Sequence, residues 1–110
     1  MKRIMIAVCA CLLLVLPVVA VAQSVPSSVE QKIKEHYEEK YPGNYSVQET
    51  LVRSQLDAYR FMQRWDHEPG VPDDVLRDLK ARYAAKYPHN YSTQKTLVQS
   101  QIKSYLKLHQ

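Results

Sequence analysis

Apolar residues fall along this chain in two different rhythms. Residues 4–16 form an almost unbroken apolar run behind Lys2 and Arg3, closed by Pro17 and followed by Ala20-Val21-Ala22. From residue 25 onward apolar positions become intermittent. Val29, Ile33 and Tyr37 stand four apart, as do Val75, Leu79 and Tyr83. That spacing predicts a narrow apolar stripe on a helix. A second pattern follows each stripe: Gln48, Leu51, Val52, Gln55, Tyr59 and Met62, then Gln94, Leu97, Val98, Gln101, Tyr105 and Leu108. Each set shares one face of a helix. The expectation is an all-α chain of four helices, the second ending near Arg64 and the fourth near Leu108.

The similarity between the two halves extends to residue identity. With Val25 placed on Val71, residues 25–64 and 71–110 align without gaps at an offset of 46, and 18 of 40 positions are identical. This is the signature of an internal duplication. The expected organisation is a signal peptide at 1–22, one helical hairpin at 23–64, a linker at 65–70 and a second hairpin at 71–110. Two hairpins with equal apolar faces suggest a small four-helix bundle with pseudo-twofold symmetry. Hairpins splayed apart, or exchanged in a dimer, remain open alternatives.

Local signals set the element ends. Ser27-Ser28 and Asp73-Asp74 are suited to capping the first helix of each hairpin, and Ser27 with Glu30 fits a capping box. Pro42 and Pro88 end these helices, because a residue before proline is driven out of helical geometry. Ser46 and Ser92 are expected to cap the second helices, Ser46 again with a box partner in Glu49. The intervening Tyr-Pro-Gly-Asn and Tyr-Pro-His-Asn segments read as turns. His89 stands where the first copy has Gly43, which favours a type I turn without positive φ in both.

The first segment changes the meaning of the averages. A basic start, an apolar run and small residues at Ala20 and Ala22 form the plan of a cleaved secretory signal. Cleavage after Ala22 leaves 88 of the 110 residues. Cys9 and Cys11 both lie in the signal, so the remainder has neither disulfide nor thiolate. The formal net charge falls from +4 to +2. Residues 25–64 are neutral, whereas 71–110 carry seven Lys and Arg against three Asp. The second hairpin is therefore a candidate for contact with an anionic surface. Export disfavours a nucleic-acid partner.

The repeated signature is Lys-Tyr-Pro-x-Asn-Tyr-Ser-x-Gln, continued by Thr-Leu-Val-x-Ser-Gln and a tyrosine, over residues 40–59 and 86–105. It resembles a short helical-hairpin motif of uncharacterised bacterial proteins, in which an aromatic-Pro pair precedes Asp or Asn, a second aromatic residue and two glutamines. That motif has Trp before Pro and Met before Gln. This chain has Tyr41 and Tyr87, then Val47 and Thr93. The resemblance implies a recurring hairpin and no chemistry.

The candidate binding positions are Tyr45, Gln48, Gln55 and Tyr59, with their counterparts Tyr91, Gln94, Gln101 and Tyr105. A glutamine on an apolar face must satisfy two donors and an acceptor. The simplest role is to bond turn backbone and set the hairpin angle. The sharper one is a polar groove lined by amides and tyrosines. His36, His67, His89 and His109 do not repeat, and none pairs at a metal-site spacing, so no metal or cofactor is expected. Asn44-Tyr45-Ser46 and Asn90-Tyr91-Ser92 match a glycosylation acceptor, although turn and cap roles account for them. With two glycines there is no phosphate loop, and no nucleophile–base pair is kept in both copies. The expected function is an exported, periplasmic or secreted, non-catalytic interaction module of the cell envelope. Its partner would be a protein or envelope component, and a homodimer is compatible with it. The alternative is a carbohydrate-binding module that uses the repeated Tyr, Asn and Gln on a glycan such as peptidoglycan.

Overall fold

The computed structural model describes residues 24–110, so the expected export signal lies outside the described residues. Four helices follow one another: α1 Ser27–Lys40, α2 Tyr45–Arg64, α3 Asp73–Lys86 and α4 Tyr91–Leu108. The starts of α1 and α3, and of α2 and α4, are each 46 residues apart, the offset of the sequence repeat. No strand is present among the described residues; an isolated bridge joins Glu68 and Val71.

The helix starts differ from expectation. Pro26 and Pro72 precede α1 and α3, and neither start has a side-chain cap. The Pro26 carbonyl instead accepts from the backbone of Val29 and Glu30. Before α2 and α4 the caps are Asn44 and Asn90, which accept from Val47 N–H at 3.3 Å and Thr93 N–H at 3.2 Å. Ser46 and Ser92 lie inside the first turn, and the Ser46 hydroxyl donates to the Asn44 side chain. Each asparagine holds a non-helical conformation one residue before the helix, which is what a cap requires.

The turns also differ. Gly43 has φ 76° and His89 has φ 66°, so both copies adopt the left-handed region. With Pro at the preceding position and Asn44 N–H bonded to Tyr41 O, this is a type II arrangement. The glycine accepts it freely, whereas His89 must bear the steric cost of its Cβ. A glutamine from the following helix clamps each turn: Gln48 Nε2 donates to Tyr41 O and Gln94 Nε2 to Tyr87 O, both at 2.8 Å. That repeated clamp outweighs the local preference of residue 89.

Packing runs α1 on α2, α2 on α4 and α4 on α3. The largest core cluster joins Met62 of α2 to Val71, to Leu76 and Leu79 of α3, and to Val98 and Ile102 of α4. Leu76 and Val98 are almost wholly buried, a gain of about 1.5–3 kcal/mol each relative to exposure. The core thus lies mainly within the second hairpin, with the C-terminal half of α2 inserted into it.

Residues 65–70 form a braced corner. Trp65 packs against the core and Phe61, its indole N–H donates to Glu68, and Lys80 Nζ donates to its carbonyl at 2.6 Å. Gly70 has φ 83°, and a Cβ there would meet Leu106 at 3.0 Å. This corner sets how α2 enters the second hairpin.

Candidate functional site

The contact between the hairpins is built around Gln55. Its side chain is 5% exposed and makes four hydrogen bonds. Nε2 donates to Tyr37 Oη at 3.1 Å within its own hairpin and to Asn90 Oδ1 at 3.0 Å in the other. Oε1 accepts the backbone N–H of Tyr91 at 2.7 Å and of Ser92 at 3.1 Å. The first amides of a helix have no intrahelical acceptor. Gln55 supplies one from the neighbouring hairpin.

Around this centre, Tyr59 meets Tyr91 edge to face at 5.0 Å, and the Ser54 and Ser92 hydroxyls lie 3.4 Å apart. Lys95 Nζ sits over the Phe61 ring, 4.4 Å from its centroid. Burial pushes the Tyr91 phenol above its ordinary pKa, with a further push from the neighbouring Tyr59. Lys80 is lowered by burial, partly countered by Asp66.

This interface is one-way, unlike the expected pseudo-twofold arrangement. Gln55 docks on the second turn, but Gln101 does not dock on the first. Gln101 is exposed, and its side chain makes no hydrogen bond among the described residues. Among the described residues, the exposed large hydrophobic residues are Tyr45, at 75%, and Leu108, at 80%. Their repeat counterparts are Tyr91, which packs on Tyr59, and Met62, which is 4% exposed.

The eight candidate positions therefore have unlike surroundings. Gln48 and Gln94 clamp their own turns. Gln55, Tyr59 and Tyr91 meet at the internal interface. Tyr45 and Gln101 face outward, and Tyr105 stacks on His109 at 4.0 Å. The first hairpin carries an open groove of about 490 Å³ between α1 and α2, with Tyr45, Gln48, Glu49, Val52 and Leu56 in its wall. In the second hairpin the counterparts Val98 and Ile102 are buried in the cluster that contains Met62.

Repeat identity does not single out every residue that matters here: Asn90 and Tyr37 are kept in both copies, whereas Phe61, Lys95 and Leu76, which also surround the interface, lie where the copies differ. Leu76 faces Glu30 in the alignment, Lys95 faces Glu49, and Phe61 faces Lys107. Divergence between otherwise matched copies was the available signal.

Among the described residues no group of three His, Cys, Asp or Glu could hold a metal ion. His67 Nδ1 lies 3.2 Å from Asp73 Oδ1, an exposed pair. No described helix is long and apolar enough to cross a membrane. Comparison with protein-family models, curated proteins and solved structures finds no match.

Proposed function

We infer that this protein is an exported, non-catalytic helical interaction module whose first hairpin binds a helix of a protein partner. The observation that carries this reading is a contrast between matched grooves. The groove on α3 and α4 receives the apolar edge of α2, while the groove on α1 and α2 is open. A surface with the same helical frame, with Val52 and Leu56 half-buried and Tyr45 exposed, offers an amphipathic helix the same kind of seat. A glycan-binding reading has less to work with. Gln55 and Gln94 are buried and already bonded, and Tyr91 is packed, which leaves Tyr45 as the exposed repeated aromatic.

The test is site-specific photo-crosslinking from position 52 in cells that produce the whole chain. A protein adduct is expected. Adducts to glycan alone, or sedimentation with insoluble glycan that is lost on Tyr45→Ala, would replace this reading with the carbohydrate one. Export predicts a mature N-terminus at Gln23, readable by mass spectrometry.

A further inference from the structure

We propose that the occupant of the open groove is a second copy of this chain, docked head to tail, so that α4 of one molecule seats on the first hairpin of the next. The inference rests on the interaction reading above and names its partner.

The internal interface provides the pattern, and the positions of both of its halves recur at opposite ends of the molecule, where Tyr105 packs on its own core and on His109 while the positions around it stay uncovered. The inserting half comprises Gln55, Tyr59 and Met62, and its matched positions on α4 are Gln101, Tyr105 and Leu108. Gln101 is exposed and Leu108 projects an apolar side chain into solvent. The receiving half comprises Asn90, Tyr91, Ser92 and Val98, matched by Asn44, Tyr45, Ser46 and Val52. Asn44, Tyr45 and Ser46 are exposed, and the Tyr45 and Ser46 amides lack the glutamine acceptor that Tyr91 and Ser92 have. Seated in the same way, Gln101 would accept from those two amides and Leu108 would cover Val52.

A paired charge change supports the same register. Inside the molecule Lys95 lies over Phe61. At the matched positions, the receiving side has Glu49 and the inserting side has Lys107. A cation on an aromatic ring is thus replaced by an acid facing a base, and both members change together. Glu49 at present makes an exposed i,i+4 pair with Arg53 at 3.2 Å, which leaves its carboxylate accessible. Because the two surfaces differ, the contact is heterologous and does not close on itself by twofold symmetry.

The experiment is sedimentation of the protein purified from cells expressing the whole chain. The expected result is a weight-average mass that rises with concentration and passes beyond a dimer. Glu49→Lys alone and Lys107→Glu alone place like charges at the contact and should each weaken association by about fivefold or more. Mixed in equal amounts, the two variants should associate again, since each then offers the other a complementary end. The Glu49→Lys/Lys107→Glu double variant should also recover, and Leu108→Asp should abolish association. All these positions are exposed, so unchanged helical circular dichroism excludes misfolding as the cause.

A plateau at dimer, or a mixture that stays as dissociated as its components, would overturn the proposal. Monomeric behaviour together with a position-52 crosslink to a different protein would overturn it and keep the interaction reading. Monomeric behaviour with no crosslink would overturn both.

Discussion

The carboxamide oxygen of Gln55 accepts the backbone N–H of Tyr91 at 2.7 Å, across 36 residues of sequence. Through this bond a side chain of the first hairpin completes the helix start of the second. The bond is half-buried, short and has no counterpart at Gln101, so its energetic consequence can be isolated within one molecule.

Gln55→Ala should destabilise the fold by about 1–3 kcal/mol, because it leaves the Tyr91 and Ser92 amides without their acceptor in a half-buried setting. Gln101→Ala should change stability by less than about 0.5 kcal/mol in dilute solution. Urea denaturation at low protein concentration measures both. Equal effects would show that Gln55 does not hold the hairpins together.

Met62 and Leu108 occupy matched positions with opposite exposure. Met62→Ala opens a cavity among Leu76, Leu79, Val98 and Ile102 and should cost about 2–4 kcal/mol. Leu108→Ala should leave the stability of dilute monomer within about 0.5 kcal/mol of the parent protein. Thermal melts at two concentrations would separate this from any effect on association.

The two turns offer a test of opposite sign. A Cβ at Gly43 meets nothing within 4 Å, so Gly43→Ala is opposed by backbone conformation alone and should destabilise by about 1 kcal/mol. His89→Gly relieves that same conformation and should be neutral or stabilising by up to about 1 kcal/mol. A loss of stability on His89→Gly would mean that the histidine ring contributes more than its backbone costs.

Tyr91 supplies an alkaline signature. Its pKa is raised in the fold by burial and then by Tyr59. The neutral phenol is therefore favoured by folding. The stabilisation is complete below the unfolded pKa of about 10 and is lost as pH rises through the higher folded value. Lys80 acts oppositely: its folded pKa is lowered by burial, so stability increases as pH rises through the folded and toward the unfolded value. Comparison with Tyr91→Phe cancels the Lys80 contribution. The parent protein should lose stability relative to this variant above about pH 10. Parallel denaturation curves from pH 8 to 11 would contradict the assignment.

The four helices and the points where they stop are legible in the sequence because they depend on local chemistry. Apolar spacing defines Ile33 and Leu79 as inward positions, and the prolines stop α1 and α3 at Lys40 and Lys86. The 46-residue offset makes the two hairpins equivalent in sequence. Even the clamping role of Gln48 and Gln94 follows from a buried amide close to a turn. Sequence alone does not separate Asn44 from Ser46 as the cap, because either side chain can accept from a first-turn amide. Nor does it disclose the positive φ at His89, because an intrinsic preference is a small energy beside a turn held by Gln94.

Nothing in the repeat distinguishes Gln55 from Gln101, or Tyr45 from Tyr91, since the residues in each pair are identical. Their fates diverge because the corner at residues 65–70, braced by Trp65, Glu68 and Lys80, directs α2 into the second hairpin and cannot send α4 into the first at the same time. Secondary structure arises from interactions a few residues apart, so matching sequences yield matching hairpins. Which faces are covered depends on a single connection joining two equal units in a chain that runs one way. That asymmetry exists only in three dimensions, and it is what leaves one groove filled and its twin open.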